Sequence, residues 1–248
     1  SSAASDVYKR QVLVTGKTNS GKTTTLNALI NEINETQNKK ILTLESPVEF
    51  KHKCKQSVIV QKEVGYGQDV LTYKDGVKNC LREDCDILVI GEIRDRETAE
   101  IAMQAGQTGH YVLSTIHTID SIEVITRLRK IGVSDYDIAS TLATSLSQRL
   151  VRKVCPKCAV KREYTEEEKN IINGIAKKYG VEYDFTGKYT YDTVGCQYCN
   201  DSGFYGRIGI FEILDMSEAI KELVIKGESS LEIRKKAMEE GYKPLVID

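Results

Sequence analysis

The sequence lacks a large net charge of either sign, a long hydrophobic run and a signal-peptide pattern. Its 35 basic and 36 acidic residues leave a formal charge of −1, which excludes a whole-surface attraction to nucleic acid or anionic lipid. No apolar run approaches the roughly 18 residues of a membrane span, and the first residues do not resemble a secretory signal. We therefore expect a cytoplasmic protein with no transmembrane segment.

Internal repeats and low-complexity segments are absent as well, and the 40% hydrophobic content is enough for a substantial core. The 248 residues suggest one or two domains. Residues 1–11 look like translated adapter sequence or a disordered polar tail, so they are excluded from the fold prediction.

The seven cysteines are an odd number, which argues against a closed disulfide framework. Two CxxC pairs stand on either side of residues 159–195. Four thiolates at such spacing favour a structural, tetrahedral Zn²⁺ site without an open position for catalysis. The predicted zinc ligands are Cys155, Cys158, Cys196 and Cys199. The alternative is four unmetallated thiols in a reducing cytoplasm, which is also where Cys54, Cys80 and Cys85 would stay reduced.

A glycine-rich phosphate loop dominates the first part of the chain, in the stretch VLVTGKTNSGKTTT. Gly16, four further residues and then Gly21, Lys22 and Thr23 match the spacing of a nucleotide-binding loop, in which the lysine reaches the β/γ-phosphates and the threonine meets Mg²⁺. A chance match in a turn is the alternative. The predicted ATP-binding residues are Gly16, Lys17, Thr18, Asn19, Ser20, Gly21, Lys22, Thr23 and Thr24.

Strand-like and helix-like stretches alternate after this loop, which predicts an α/β fold with a mostly parallel sheet and helices on both faces. The predicted strands are Val12–Thr15, Lys40–Leu44, 86–90 and 111–115, and the predicted helices are 23–35, 73–82, 97–105 and 134–148, the last capped by Ser134. Later patterns predict a helix from the Thr165 cap to about Tyr179, a strand at 206–214, and helices at 218–226 and 231–240. The resulting organisation is a core at 12–154, a zinc insert at 155–201 and a C-terminal strand with helices at 202–248.

Acidic residues follow two of the predicted strands. Glu92 comes just past a buried strand, where it can hold Mg²⁺ through water or polarise an attacking water. Glu45 and Glu49 follow the second strand, so that one of them could act as the water-activating base. Exposed surface acids are the alternative for all three.

Two histidines, His110 and His117, flank the strand at 111–115. A histidine beside a γ-phosphate can sense its charge by donating a hydrogen bond, although either residue alone is more typical of a structural histidine. His52, in the charged stretch KHKCK, is expected to be exposed to solvent.

Five ordered stretches carry a family resemblance: GKTNSGKTTT, LESPVEF, LREDCDILVIGEIRDRET, TGHYVLSTIHTID and QRLVRKVCPKC. The chain resembles the type II secretion and type IV pilus ATPases of the PilB/GspE group from about residue 12 to 248. The resemblance implies a RecA-like fold, a homohexamer, and ATP hydrolysis that drives pilus or pseudopilus assembly at the inner-membrane platform protein from the cytoplasmic face. By position it implies that Glu49 is the catalytic base, Glu92 the Walker B acid, and His110 and His117 the His box. The zinc insert is typical of the assembly and secretion branch, since PilT-like retraction ATPases lack it.

The chain departs from the family pattern at a few positions. Ser46 stands where the family usually has aspartate, Cys85 where it has proline, and Ile119 where it has asparagine. The chain is expected to be a fragment, and the arginines that neutralise the transition state are expected from an N-terminal domain and from ring neighbours. Arg94 and Arg96 are expected to pair with the acids of their own run, RDRE.

Two other function classes remain open from the sequence. A nucleic-acid enzyme could use the basic run Arg149, Arg152, Lys153, Lys157, Lys161 and Arg162, but the neutral net charge and the lack of an aromatic stacking motif argue against direct nucleic-acid binding. A non-hydrolysing, ATP-binding scaffold is the other class, and retention of Glu49 and Glu92 argues against it.

Overall fold

A computed structural model describes residues 11–179 and 182–245, with the Lys178 side chain excepted. The strands are β1 Gln11–Thr15, β2 Lys40–Glu45, β3 Val58–Glu63, β4 Ile87–Ile90, β5 Tyr111–Ile116, β6 Leu142–Val154, β7 Ala159–Arg162, β8 Thr190–Thr193 and β9 Phe204–Asp215. The helices are α1 Lys22–Thr36, α2 Tyr73–Cys80, α3 Arg96–Gln107, α4 Glu123–Lys130, α5 Asp135–Thr141, α6 Glu166–Lys178, α7 Glu218–Ile225 and α8 Ser230–Glu239. The described chain divides into two compact units, one formed by residues 11–148 and 211–242, the other by 149–179, 182–210 and 243–245.

The first unit is built on a seven-stranded sheet in the order β3-β2-β4-β5-β1-β6-β9. Strands β1 to β6 are joined by parallel pairings, of β1 with β5 and β6, β2 with β3 and β4, and β4 with β5. The carboxyl ends of parallel strands lie at the same edge of a sheet. The residues that follow β1, β2, β4 and β5 therefore lie close together at that edge. The predicted α/β fold with a mostly parallel sheet is confirmed.

Both faces of the central strands are buried, which explains their continuous apolar runs. In β4, Ile87 and Val89 pack against Leu26 and Ile30 of α1, whereas Leu88 and Ile90 belong to the larger core on the opposite face. That larger core includes side chains from α2 to α5, α7 and α8. The alternation of side chains along these strands places α1 over one face of β2, β4 and β5, directly after the phosphate loop.

The predicted helix at 134–148 is wrong. Ser134 does cap a helix, since its hydroxyl accepts a hydrogen bond from the Asp137 N–H, but α5 ends at Thr141. The rest of the segment forms β6, which pairs with β1 from Gln11 to Thr15. Leu142 to Gln148 has no strong strand propensity, so strand pairing in the centre of the sheet overrides its local preference. Strand β3 and helix α4 were not predicted.

The remaining predicted elements of the first unit are confirmed to within one or two residues. Strand β1 begins at Gln11, which is fully buried, so Gln11 does not belong to the expected tail at 1–11. Residues 1–10, on which the rest of that prediction falls, lie outside the described part of the chain. Thr72 and Ser229 cap α2 and α8, each accepting a hydrogen bond from the N–H three residues later.

The second unit contains the antiparallel pair β7–β8 and helix α6. Thr165 and Glu168 form the predicted capping box at the start of α6. Glu168 also accepts two hydrogen bonds from Arg162, whose guanidinium reaches Asp192 in addition. The bonds from Arg162 lower the pKa of Glu168 to about 2. One carboxylate thus joins the helix start to the β7–β8 pair.

Candidate functional site

The phosphate loop turns sharply between β1 and α1. Gly16 has φ +145°, and a Cβ there would lie 2.5 Å from the Gln148 carbonyl oxygen, so only glycine fits. Asn19 and Gly21 are also left-handed, with φ 62° and 88°. Gly21 is the N-cap of α1 and no side chain caps this helix start. Uncapped N–H groups at a helix N-terminus favour an anion, so the loop fits a phosphate.

Lys22 is the first residue of α1, and its side chain is buried. Its ammonium donates hydrogen bonds to the Gly16 and Lys17 carbonyl oxygens at 3.0 and 3.1 Å. Burial lowers the pKa of Lys22, and the charge of Glu92 opposes that shift. A desolvated cation gains from an anionic ligand, which is what a phosphate would supply.

Glu92 lies two residues beyond β4, with 16% of its side chain exposed. One carboxylate oxygen accepts a hydrogen bond from Arg94 Nε at 2.6 Å, and the other lies 3.1 Å from His117 Nε2. His117 follows β5, the parallel neighbour of β4, so the register of the sheet brings the two residues together. Arg94 therefore pairs with Glu92, and Arg96 pairs with Glu100. Both acids lie outside the run RDRE, so the expected pairing within that run is wrong.

Glu45 and Glu49 differ in their surroundings. Glu45 is the last residue of β2 and is buried, and it accepts hydrogen bonds from Thr43 Oγ1 at 2.7 Å and Gln61 Nε2 at 3.1 Å. Glu49 is exposed, and among the described residues no hydrogen bond or ion pair engages it. Of the two candidate bases, Glu49 is the one whose carboxylate can approach a water.

A single cavity of about 260 Å³ joins these groups. Its lining includes Thr18, Asn19, Lys22 and Thr23 of the phosphate loop, together with Glu45, Glu49, Glu92 and His117. Carboxylate and hydroxyl oxygens beside a phosphate loop are the ligands that Mg²⁺ prefers. The cavity thus combines a phosphate site, oxygen donors for a divalent cation and a free carboxylate.

His110 does not belong to this cavity. It precedes β5, at the opposite edge of the sheet from the phosphate loop, and its Nδ1 lies 3.2 Å from both Thr108 Oγ1 and the Ala105 carbonyl oxygen. The expected role of His110 beside the γ-phosphate is therefore corrected to a structural one at the end of α3. His52 was expected to be exposed, but it is half-buried and its Nε2 contacts Asn27 Oδ1.

The lining residues that sequence reasoning missed include Tyr73 and Asn27. Tyr73 opens α2, and burial raises the pKa of its hydroxyl. Its position as the first residue after the Thr72 cap carried no signal for a ligand. Asn27 lies one turn after Thr23, and this spacing was the available signal, since residues four apart share a helix face.

The four predicted zinc ligands form one cluster within the second unit, with all sulfurs within 4.8 Å of one another. The shortest sulfur separations are 3.7 to 3.9 Å. A tetrahedral site with Zn–S bonds of about 2.3 Å requires S···S distances of about 3.8 Å, so the geometry fits zinc. Backbone N–H groups of Cys196 and Gly203 donate to the Cys199 sulfur at 3.3 Å each, which stabilises a thiolate there.

Comparison with known proteins gives consistent relatives. Residues 4–247 match the family described as "Type II/IV secretion system protein". The chain is 40% identical over 235 residues to the type IV pilus assembly ATPase PilB of Myxococcus xanthus, covering 94% of this chain and 39% of that protein. It is 40% identical over 223 residues to the type II secretion system ATPase E of Vibrio cholerae, covering 89% and 42%. The chain thus spans about two fifths of the length of these relatives.

Solved structures with a similar fold include the pilus retraction motor PilT with bound ADP, at a TM-score of 0.65 and 27% identity, covering 96% of this chain and 60% of that one. The Legionella pneumophila ATPase DotB has the same fold, at a TM-score of 0.67 and 24% identity, covering 99% and 57%. None of the helices described for this chain has the length and apolar character needed to cross a membrane.

Proposed function

Because the chain belongs to the type II/IV secretion system protein family, we propose that it is the ATP-hydrolysing part of a motor subunit that powers assembly of a type IV pilus or a type II secretion pseudopilus. The observation that carries the proposal is the shared cavity, in which Lys22, Thr23, Glu49 and Glu92 line one space. Relatives named for pilus assembly and for type II secretion are equally similar, so both machines remain within the proposal.

Each lining residue has a part in the proposed reaction. Lys22 holds the β/γ-phosphates, and Glu49 accepts a proton from the attacking water. Mg²⁺ held by the Thr23 hydroxyl and by Glu92 would supply charge neutralisation at the phosphate oxygens. His117 fixes the orientation of Glu92 and can report the charge of the γ-phosphate through that contact.

The tetracysteine cluster is proposed to hold a structural Zn²⁺ through Cys155, Cys158, Cys196 and Cys199. Four sulfur ligands leave no open coordination position, so the metal stabilises the second unit and takes no part in hydrolysis. A homohexamer at the inner face of the plasma membrane, docked on a membrane platform protein, is the proposed setting, by analogy with machines for which the relatives are named.

A nucleic-acid enzyme has less support from the structure. Arg152 lies over the Phe204 ring at 3.9 Å and Lys161 over the Tyr189 ring at 3.4 Å. Arg162 is engaged by Glu168 and Asp192. Three cations of the basic run are therefore committed within their own unit and do not form a free phosphate-binding row.

The decisive experiment compares Lys22→Ala with Lys78→Ala, which removes an exposed lysine of α2 that does not line the cavity. We expect Lys22→Ala to abolish MgATP binding, because the cavity loses its phosphate-directed cation, and Lys78→Ala to bind as the wild type does. Binding measured by titration with a fluorescent ATP analogue checks this. Wild-type affinity in Lys22→Ala would show that the cavity is not the nucleotide site.

A further inference from the structure

Helix α1 carries two buried asparagines seven residues apart, Asn27 and Asn34, which lie on one face of the helix. Asparagine is a poor residue for a helix interior, because its amide competes with the backbone for hydrogen bonds. A buried amide must also be satisfied by partners, or it costs free energy. Both side chains find those partners in the segment 50–56, which follows Glu49.

Asn34 binds the C-terminal part of this segment to α1. Its Nδ2 donates to the Lys53 carbonyl oxygen at 2.8 Å, and its Oδ1 accepts from the Lys55 N–H at 3.0 Å. The Asn34 carbonyl oxygen accepts a third bond, from the Gln56 N–H at 2.9 Å. The chain from Lys53 to Gln56 is thus bound to α1 by three hydrogen bonds.

Asn27 binds the part of the segment nearer to the cavity, through His52. Its Nδ2 donates to the Thr23 carbonyl oxygen at 2.8 Å, which leaves Oδ1 to face the His52 imidazole. His52 Nε2 must then carry the hydrogen, because Oδ1 can only accept. The backbone N–H of His52 donates to Gln61 Oε1, and Gln61 Nε2 donates to the Phe50 carbonyl oxygen.

These contacts connect two sides of the cavity. Thr23 and Asn27 line it from α1, and Glu49 lines it from the position directly before the segment 50–56. We propose that His52 and Asn27 are positioning residues, whose side-chain hydrogen bond holds the Glu49 carboxylate at a fixed position relative to the phosphate loop. The inference rests on the proposed ATP hydrolysis, since it assigns how the base of that reaction is placed.

The chemistry of His52 suits such a role. The ring is half-buried, and burial lowers the pKa of His52 against the opposing charge of Glu45. The imidazole is therefore neutral near pH 7 and has a single N–H, which is committed to Asn27. An uncharged donor fixes the segment without adding a cation beside Glu49, whose carboxylate must remain a base.

The test measures ATP turnover, affinity for a non-hydrolysable ATP analogue and thermal stability in the same preparations. We expect His52→Ala to lower kcat about 10-fold with analogue affinity within about 2-fold, short of the roughly 10²-fold loss that a 1 Å misplacement can cause. His52→Gln should restore most of the rate, because the glutamine amide nitrogen lies the same number of bonds from the backbone as Nε2. Lys51→Ala, at an exposed neighbouring side chain, is the matched control and should behave as wild type.

The pair is tested by a double variant. If one hydrogen bond carries the effect, His52→Ala with Asn27→Ala loses no more turnover than Asn27→Ala alone. Multiplying losses would overturn the inference, as would wild-type turnover in His52→Ala or an unrestored rate in a stably folded His52→Gln. Failure of the proposed function has a separate signature, which is absence of turnover in the wild type or wild-type nucleotide binding in Lys22→Ala.

Discussion

Arg94 offers a direct test of how the charges around Glu92 work, because Arg96 is a matched control two residues away. Both guanidinium groups are mostly exposed, at 74% and 68%, and each binds one carboxylate at 2.6 Å. They differ in the partner: Arg94 binds Glu92 in the cavity, whereas Arg96 binds Glu100 on the surface of α3. Replacing each by alanine therefore removes a similar ion pair from two different settings.

The expected magnitudes separate stability from catalysis. An exposed ion pair contributes roughly 0.2–1 kcal/mol to folding, so either variant should lower the melting temperature by no more than about 4 °C. A charged hydrogen bond that orients a catalytic carboxylate is worth about 1.5–3 kcal/mol, which corresponds to a rate loss of roughly 10- to 10²-fold. We expect that loss in Arg94→Ala and a wild-type rate in Arg96→Ala.

The assay is steady-state ATP turnover at saturating Mg²⁺, with the melting temperature recorded for each variant. A loss of 10³-fold or more in Arg94→Ala would mean that the guanidinium also contacts the transferred phosphoryl group. Equal turnover in Arg94→Ala and Arg96→Ala would refute the reasoning, because the Glu92 contact would then have no part in catalysis.

Two further outcomes are expected. Glu49→Gln should bind MgATP as the wild type does while turnover falls by roughly 10²–10⁴-fold, as for a lost general base; unchanged turnover would move the role of base to another residue. Protein purified without chelator should contain about one zinc per chain by metal analysis, and Cys199→Ser should lose the metal while the first unit still binds the ATP analogue. Metal-free wild-type protein would contradict the zinc assignment.

Much of the fold was readable from the sequence because the central strands are buried on both faces. Runs such as Ile87–Ile90 are apolar without interruption, and they alternate with helices that have clear caps at Thr72, Thr165 and Ser229. The helix predicted at 134–148 was wrong because residues 142–148 have neither an uninterrupted apolar run nor a helix cap. Ser145 and Ser147 are buried on β6 beside β1, and a small polar side chain gives no indication of its burial before the partner strand is known.

The candidate site was predictable where a motif names its residues, as for Lys22, Glu49 and Glu92. The site was not predictable where it depends on which residues, far apart in the sequence, lie close together in the fold. His110 and His117 flank the same strand, but a parallel strand has two ends, and only the carboxyl end faces the phosphate loop. Likewise, the contact between His52 and Asn27 joins residues 25 positions apart and depends on how α1 lies over the sheet.

The chain divides into two units, each with its own proposed ligand. We therefore expect that one melting temperature does not describe its thermal stability. A ligand that binds only the folded form adds RT ln(1 + [L]/Kd), which is about 2.7 kcal/mol at a hundredfold excess over Kd. Nucleotide would supply this term to the phosphate-loop unit, and zinc would supply it to the cysteine unit. We therefore expect two unfolding transitions whose order depends on the buffer. A chelator should lower the transition temperature of the cysteine unit, whereas removal of nucleotide should lower that of the phosphate-loop unit.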